Sequence, residues 1–408
     1  MDLTAFRALC TPMGQSALRA AEALSPREAD FLTHFQTLER TFPREVARAA
    51  LETAILRRKA ERKFPQRAHS LYFTREALEQ ASSAAVSRYR ARRFAGYDLL
   101  VDVGCSVGGD TLHLAEIAPT LGVDRDPLRL AMGRANLKAQ GLWGRARLLN
   151  ADASLPLPLG GLPQKTGVFF DPARRSAHRR LYSVRAYHPP LATVASWLSL
   201  AAGAGVKISP GVALEELSAY DCEVEFISSK GELKEAALWF GECRSADRRA
   251  TLLPGGDTLT ADPAAEAAPP RLGQPDAFLC EPDPAVLRAG LVRTLAARVD
   301  ARQLDPRIAY LACGHPVVSP FLRCWQVEAW MPFQMKRLRA YLRERGVGKV
   351  TVKKRGSPLT PEEVQRALKL KGDRRRVLFL TQLAGRPIVV VALPGITPRG
   401  TAAGAPGQ

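Results

Sequence analysis

The 408-residue sequence contains no Cys-x-x-Cys pair, and its seven cysteines are odd in number and scattered. That spacing argues against a disulfide framework and against a zinc site, and it predicts a reducing compartment. The amino terminus lacks the basic-then-apolar order of a signal peptide. The apolar, uncharged run at residues 191–206 is interrupted by Thr, Ser and Gly and is too short to span a bilayer. These absences predict a cytoplasmic protein with no membrane segment and no metal. No internal repeat is present. Acidic residues are also in short supply, 40 Asp+Glu against 59 Lys+Arg, giving a formal charge of +19 and a pI near 10.0. Such a surface attracts polyanions, nucleic acid first among them; a bias toward Arg, alongside many Ala, Gly and Pro, is the competing explanation.

What is present is enough apolar residue, 46% of the chain, to bury the cores of two or three domains. Residues 1–95 carry no strand pattern, while 45–63 and 74–93 repeat Ala, Leu, Arg and Glu at helical spacing. A helical N-terminal region is expected there. Its basic cluster, Arg57, Arg58, Lys59, Arg62 and Lys63, wraps round a helix and reads mainly as a solvated face. From 96 to 245 the texture changes to short apolar runs at 99–103, 120–123, 146–149, 167–170 and 205–208, separated by helical stretches. That order indicates a parallel α/β sheet with crossover helices, closed by a hairpin around Lys230 and Gly231. Residues 254–276 mix Pro, Gly, Ala and Asp without a hydrophobic period and read as a linker. Beyond it, 277–395 alternates strands (325–331, 349–352, 377–382, 387–392) with helices (334–345, 361–369), a small α+β domain. Thr360 and Glu363 are spaced as a capping box with Pro361 at the first helical position.

The chemistry concentrates on the strand ends of the sheet. Residues 99–115 read as strand, glycine turn and helix, in which Gly104 and Gly108 let the backbone turn tightly and approach a nucleoside closely. A glycine loop alone is weakly diagnostic. Asp124, about 20 residues beyond Gly104, ends the next strand where a carboxylate can hold both ribose hydroxyls. Asp152 follows the third strand, in reach of an adenine amino group, and Asp171-Pro172 follows the fourth, at the lip where the strand order is expected to switch. Each acid singly can be a turn former; Asp102, Asp124, Asp152 and Asp171, in register on successive strands, point to a nucleoside site. Asp126 is expected to cap the helix that starts at Pro127.

These four strand ends resemble motifs I to IV of class I methyltransferases. The similarity extends along nearly the whole chain: residues 56–64, 72–81, the 103–110 loop, the Phe170-Asp171-Pro172-Ala173-Arg174-Arg175 box, 207–211 and 352–356 look like the bacterial class I methyltransferases that carry a C-terminal THUMP-like domain. The resemblance implies a Rossmann-like sheet binding S-adenosyl-L-methionine through Asp102, Gly104, Cys105, Ser106, Gly108, Asp124 and Asp152, and methyl transfer to RNA (tRNA or rRNA). Ser106 stands where the family usually has the second glycine of Gly-Cys-Gly.

On the acceptor side, Asp171 and Pro172 are the candidate catalytic pair. Amino-directed methyltransferases carry Asp or Asn, then Pro-Pro and an aromatic; here the second proline and the aromatic are missing. Arg174 and Arg175 are candidates for phosphate contact, with pairing to local acids the equal alternative. Cys105 is a packing residue of the donor loop, and the fourth-strand box holds no cysteine for a covalent route. In the C-terminal domain, residues 331–386 hold sixteen basic and four acidic residues, a net of +12. That density suits phosphate contact, with Lys353, Lys354 and Arg355 as candidate RNA-binding residues, and solvated surface as the alternative. Two other readings stay open: a methyltransferase for a small molecule or protein, and a non-catalytic RNA-binding protein that kept the nucleotide fold.

Overall fold

Asp2 and Thr11 start the first two helices by accepting hydrogen bonds from the N–H groups of Ala5 and Gly14, and Thr74 does the same for Ala77. The N-terminal region of the computed structural model is helical as expected: α1 (Leu3–Leu9), α2 (Pro12–Ala23), α3 (Phe31–Leu38), α4 (Arg44–Ala60), α5 (Arg75–Gln80) and α6 (Ala84–Ala91). All residues are described except 156–160, 173–174, 177–178, 181–182, 188 and 396–408. The helical stretch over 74–93 is divided between two helices, α5 and α6. Lys63 Nζ donates to the carbonyls of Leu78, Glu79 and Ala81 at 2.7, 2.8 and 2.6 Å, capping α5, and Ser83 is extended before α6 begins. The basic cluster is largely engaged with the protein itself. Arg57 is buried, with Nε on the Leu71 carbonyl at 3.0 Å and Nη1 on Glu22 at 2.8 Å, and Lys59 pairs with Glu28 at 2.6 Å.

Two compact units make up the chain: residues 1–223 with 236–245, and 224–235 with the residues from 246 onward. In the first, β1 (Leu99–Val103), β2 (Thr120–Asp124), β3 (Ala146–Asn150) and β4 (Thr166–Phe170) are joined in part by α7 (Thr111–Ile117) and α8 (Pro127–Ala139). A two-residue ladder of β5 (Arg175–Ser176) and β6 (Arg179–Arg180) and the short α9 (Thr193–Leu198) precede β7 (Gly203–Ile208). The order is β7-β4-β1-β2-β3, all parallel, with β9 (Glu232–Gly241) antiparallel to β7. Parallel strands put every carboxyl end on one side, and the order reverses between β1 and β4, where a crevice opens. The N-terminal helices share a core with this sheet's helices: Leu51, Phe64 and Phe73 cluster with Val107, Leu112 and Met132. Asn136 reinforces the junction. It accepts from Tyr72 N at 2.7 Å and donates to the carbonyls of Tyr72 (3.0 Å) and Val107 (2.9 Å).

In the second unit, β8 (Glu223–Ser229) turns back into β9 through Lys230 and Gly231, both left-handed (φ 54° and 79°), as a tight hairpin requires. Residues 254–276 are not a structureless linker. β10 (Arg248–Leu253) pairs with β11 (Asp257–Thr260), and Asp262 caps α10 (Pro263–Ala267). Then come β12 (Phe278–Pro282), α11 (Pro284–Arg288), α12 (Val292–Arg298), β13 (Arg302–Asp305), β14 (Ile308–Cys313), β15 (Leu322–Pro332), α13 (Met335–Glu344), β16 (Val347–Lys354), α14 (Pro361–Leu368), β17 (Arg374–Leu383) and β18 (Arg386–Ala392). They form a seven-stranded sheet ordered β13-β14-β12-β15-β18-β17-β16. Leu338, Leu342, Val364 and Leu368 of the two helices pack on Leu378, Leu380 and Val389 of the sheet. The Thr360–Glu363 capping box forms with both its hydrogen bonds.

One expectation is corrected here. Cys280 and Cys324 are joined in a disulfide. They sit directly opposite each other on antiparallel β12 and β15, a pairing that their separation of 44 residues gives no hint of. No helix among the described residues is long and apolar enough to cross a membrane.

Candidate active site

The buried run of β1 carries Asp102 into the interior at the carboxyl edge of the sheet, where it is 1% exposed. Thr111 donates its hydroxyl hydrogen to Asp102 Oδ2 at 2.5 Å, while Oδ1 has no protein partner. Burial, with repulsion from Asp110 added, pushes the Asp102 carboxyl up to about 8. The chain then turns through Gly104 (φ 79°), Ser106 (φ 50°) and Gly108 (φ 84°). A Cβ on Gly104 would sit 2.8 Å from the Asp171 carbonyl oxygen, so no side chain fits there. Ser106 keeps the left-handed turn without being glycine; its N–H donates to Asp124 Oδ2 at 2.9 Å, and its buried hydroxyl has no partner.

Asp124 ties two loops together, since its Oδ1 accepts from Asp126 N at 2.9 Å. Asp126 caps α8 as expected, accepting from Leu128 N and Arg129 N. Cys105 is buried, and burial followed by the Asp102 and Asp124 charges pushes its thiol well above the ordinary range, which suits packing and not nucleophilic attack. Asp152 lies exposed beyond β3, where the Ser154 hydroxyl (2.7 Å) and N–H (2.9 Å) hold its carboxyl below the usual value.

Asp171 follows β4. Its N–H donates to the Val103 carbonyl at 3.1 Å, which binds this strand end to the donor loop. Its Oδ2 accepts from Lys207 Nζ at 2.7 Å, and Lys207, 2% exposed at the end of β7, also donates to the Gln80 carbonyl at 3.1 Å. Pro172 is buried beside it. Arg174, and the side chain of Arg175, lie outside the described residues.

A second ion pair supports the same edge. Arg90, 2% exposed on α6, reaches Asp110 at 2.5 Å and lies over the Phe169 ring at 4.6 Å. Burial opposes ionisation of Asp110, but Arg90 and Lys207 more than offset it and hold its carboxyl below the ordinary value. Sequence reasoning missed Lys207 and Arg90 as site residues. Lys207 had a signal: a lysine inside an apolar strand must find a partner.

The structure therefore brings Asp102, Gly104, Cys105, Ser106, Gly108, Asp124 and Asp171 together at the carboxyl ends of β1, β2 and β4, and Asp152 follows β3 on the same edge of the sheet. The glycine cradle, the acid after β2 and the two buried polar atoms without partners, Asp102 Oδ1 and Ser106 Oγ, fit a nucleoside donor with a charged tail. Among the described residues no group of His, Cys, Asp or Glu is placed to hold a metal.

In the second unit the three basic candidates separate. Lys353 Nζ lies 2.5 Å from Glu281 and 4.8 Å from the centre of the Trp325 ring; Arg355 lies 3.2 Å from Glu281 and over Tyr310 at 5.3 Å. Lys354 is exposed.

Comparison with known proteins agrees with this fold. A candidate methyltransferase of Porphyromonas gingivalis W83 has the same fold, with a TM-score of 0.74 at 22% identity over 90% of this chain and 99% of its own. Residues 322–394 match the THUMP domain-like family, and residues 2–60 match a domain of unknown function. The fold and site define a Rossmann-like class I methyltransferase with a helical N-terminal region and a THUMP-like C-terminal domain. An uncharacterized S-adenosylmethionine-dependent methyltransferase of Mycobacterium tuberculosis is 36% identical over 82% of this chain and 92% of its own length, in two strains. The chain belongs to the S-adenosylmethionine-dependent methyltransferases.

Proposed function

We propose that this S-adenosylmethionine-dependent methyltransferase acts on RNA, tRNA or rRNA, in the cytoplasm, with the THUMP-like domain helping to hold the substrate. The observation that carries the reading is charge. The net of +12 over 331–386 falls within the THUMP domain-like stretch, and Lys336, Arg337, Arg343, Lys349, Lys354 and Arg375 are all exposed there.

In this reading Asp102, Gly104, Cys105, Ser106, Gly108, Asp124 and Asp152 hold the donor. Asp124 takes the ribose hydroxyls and Asp152 the adenine amino group. The donor supplies an already activated methyl group on its sulfonium. The chain's task is alignment and acceptance of a proton. Asp171, anchored by Lys207 and backed by Pro172, accepts a hydrogen bond from the acceptor group and orients it. Arg174 and Arg175 contact phosphate, and so does Lys354, while Lys353 and Arg355 stay paired with Glu281.

Mass spectrometry of nucleosides from RNA of cells with and without the gene tests the proposal. One methylated nucleoside should vanish from tRNA or rRNA. If RNA is unchanged while labelled methyl groups enter a metabolite or protein fraction, the RNA assignment is wrong and the activity belongs to another acceptor.

A further inference from the structure

From Pro127 to Asn150 the first unit has five basic residues, Arg129, Arg134, Lys138, Arg145 and Arg147, and no acid. Arg129 is neutralised by Glu76 at 2.7 Å and Asp126 at 3.4 Å. The other four are exposed. Arg145 donates to the carbonyls of Ala115 (2.7 Å) and Ile117 (3.3 Å), which fixes its side chain without cancelling its charge.

Arg134 and Lys138 sit one turn apart on α8. Like charges at that spacing destabilise a helix by a few tenths of a kcal/mol, and nothing in the helix relieves them. Arg147 stands on β3, the strand that ends the order of the sheet. Between them lies Trp143, half-buried, with the Arg134 guanidinium 5.1 Å from its ring centre and that of Arg147 at 5.5 Å. Arg147 is fixed further by hydrogen bonds to the carbonyls of Trp143 (2.5 Å) and Ala146 (3.0 Å). None of Arg134, Lys138 and Arg147 forms an ion pair among the described residues.

We infer that this α8–β3 flank is a second RNA-binding surface, on the methyltransferase unit itself, which takes the phosphate backbone of the substrate a few nucleotides from the reacting one. The inference rests on the RNA reading above. Arginines held over a tryptophan ring are pre-ordered, so they lose little side-chain freedom on meeting a phosphate or stacking on a base. A merely solvated face has no reason to exclude acids over 24 residues while holding its cations in fixed positions. Arg147 is three residues before Asn150, roughly 10 Å along the strand from the carboxyl edge, a distance of two nucleotides or less. β3 also lies two strands, roughly 10 Å, to the side of β1, so a single strand leaving the crevice crosses the patch within a few nucleotides.

The test uses the full chain and a fluorescein-labelled RNA hairpin with a single-stranded overhang, followed by anisotropy across a salt series. The variant Arg134→Gln/Lys138→Gln/Arg147→Gln should bind about tenfold more weakly at moderate salt. Its log–log salt slope should drop by about two to three, close to one per phosphate contact. Its melting temperature and calorimetric donor affinity should stay at wild-type values. A control with the same charge removed elsewhere, Arg7→Gln/Arg19→Gln/Arg40→Gln, all exposed, should change affinity less than about twofold. Equal losses in both variants, or no loss in the first, overturn the surface while wild-type RNA binding and methylation stand. If the wild-type protein binds no RNA, the substrate reading and this surface fail together.

Discussion

Lys207 and Asp171 stand side by side where two neighbouring parallel strands end, one residue beyond the register pair of Val206 and Phe170, with Nζ 2.7 Å from Oδ2. The lysine is almost fully buried, so its partner cannot be removed cheaply. An unpaired buried charge costs about 3–5 kcal/mol. Asp171→Ala should lower thermal stability sharply, and Asp171→Ala/Lys207→Met should recover much of it. Asp171→Asn still accepts the lysine hydrogen bond but leaves its charge uncompensated, so it should melt between the wild type and Asp171→Ala while losing about a hundredfold or more in single-turnover methyl transfer. Equal melting temperatures for Asp171→Ala and the double variant would remove the pair from the account of this edge.

Ser106 occupies a left-handed conformation that costs an L-residue about 1–2 kcal/mol. Glycine there gives back roughly 0.4–1 kcal/mol through the unfolded chain. Ser106→Gly should therefore stabilise the protein by about 0.5–1 kcal/mol, visible as a higher urea midpoint at an unchanged m-value. Ser106→Val, branched at Cβ, should lower the midpoint and weaken donor binding. A stabilising Ser106→Val result contradicts the turn geometry.

The pH dependence of stability has a distinct contribution from Asp102. The unfolded chain releases this proton near 3.8, whereas burial keeps it on the folded chain up to about 8. Between those values the folded state binds the extra proton, so stability declines as pH rises through the window. Below it both states are protonated and the penalty disappears. Asp102→Asn retains an oxygen for the Thr111 hydroxyl and cannot ionise. Its melting temperature should exceed that of the wild type most at pH 8 and above, and converge with it toward pH 4. A difference independent of pH would mean that Asp102 does not titrate in this range.

The parallel sheet and its loop were legible because local rules specify them: short apolar strands, glycines at tight turns, an acid at each strand end and Thr360 opening α14. What was hidden depends on distant partners. Lys207 meets Asp171 across 36 residues, and Asn136 reaches Tyr72 across 64. The sequence flags Lys207 as needing a partner, but in neither case does a local pattern say which residue the partner is. β11 and α10 were read as linker because they are four and five residues long, too short for any hydrophobic period to register. The Cys280–Cys324 bond and the capture of Lys353 and Arg355 by Glu281 likewise arise only once β12, β15 and β16 are placed.

That capture divides the Lys353–Arg355 run into two roles. Glu281 holds both Lys353 and Arg355, each also set against an aromatic ring, while Lys354 points to solvent without an ion pair among the described residues. Lys353→Ala leaves Glu281 and Trp325 short of a partner. It should cost about 1–2 kcal/mol of stability and have little direct effect on the salt slope of RNA binding. Lys354→Ala should leave the melting temperature unchanged and reduce that slope by about one. Glu281→Gln frees two cations and should steepen the slope while lowering the melting temperature. Melting curves read beside anisotropy titrations separate these effects. If Lys353→Ala melts like the wild type and loses as much RNA affinity as Lys354→Ala, the three residues form one binding surface and Glu281 does not divide them.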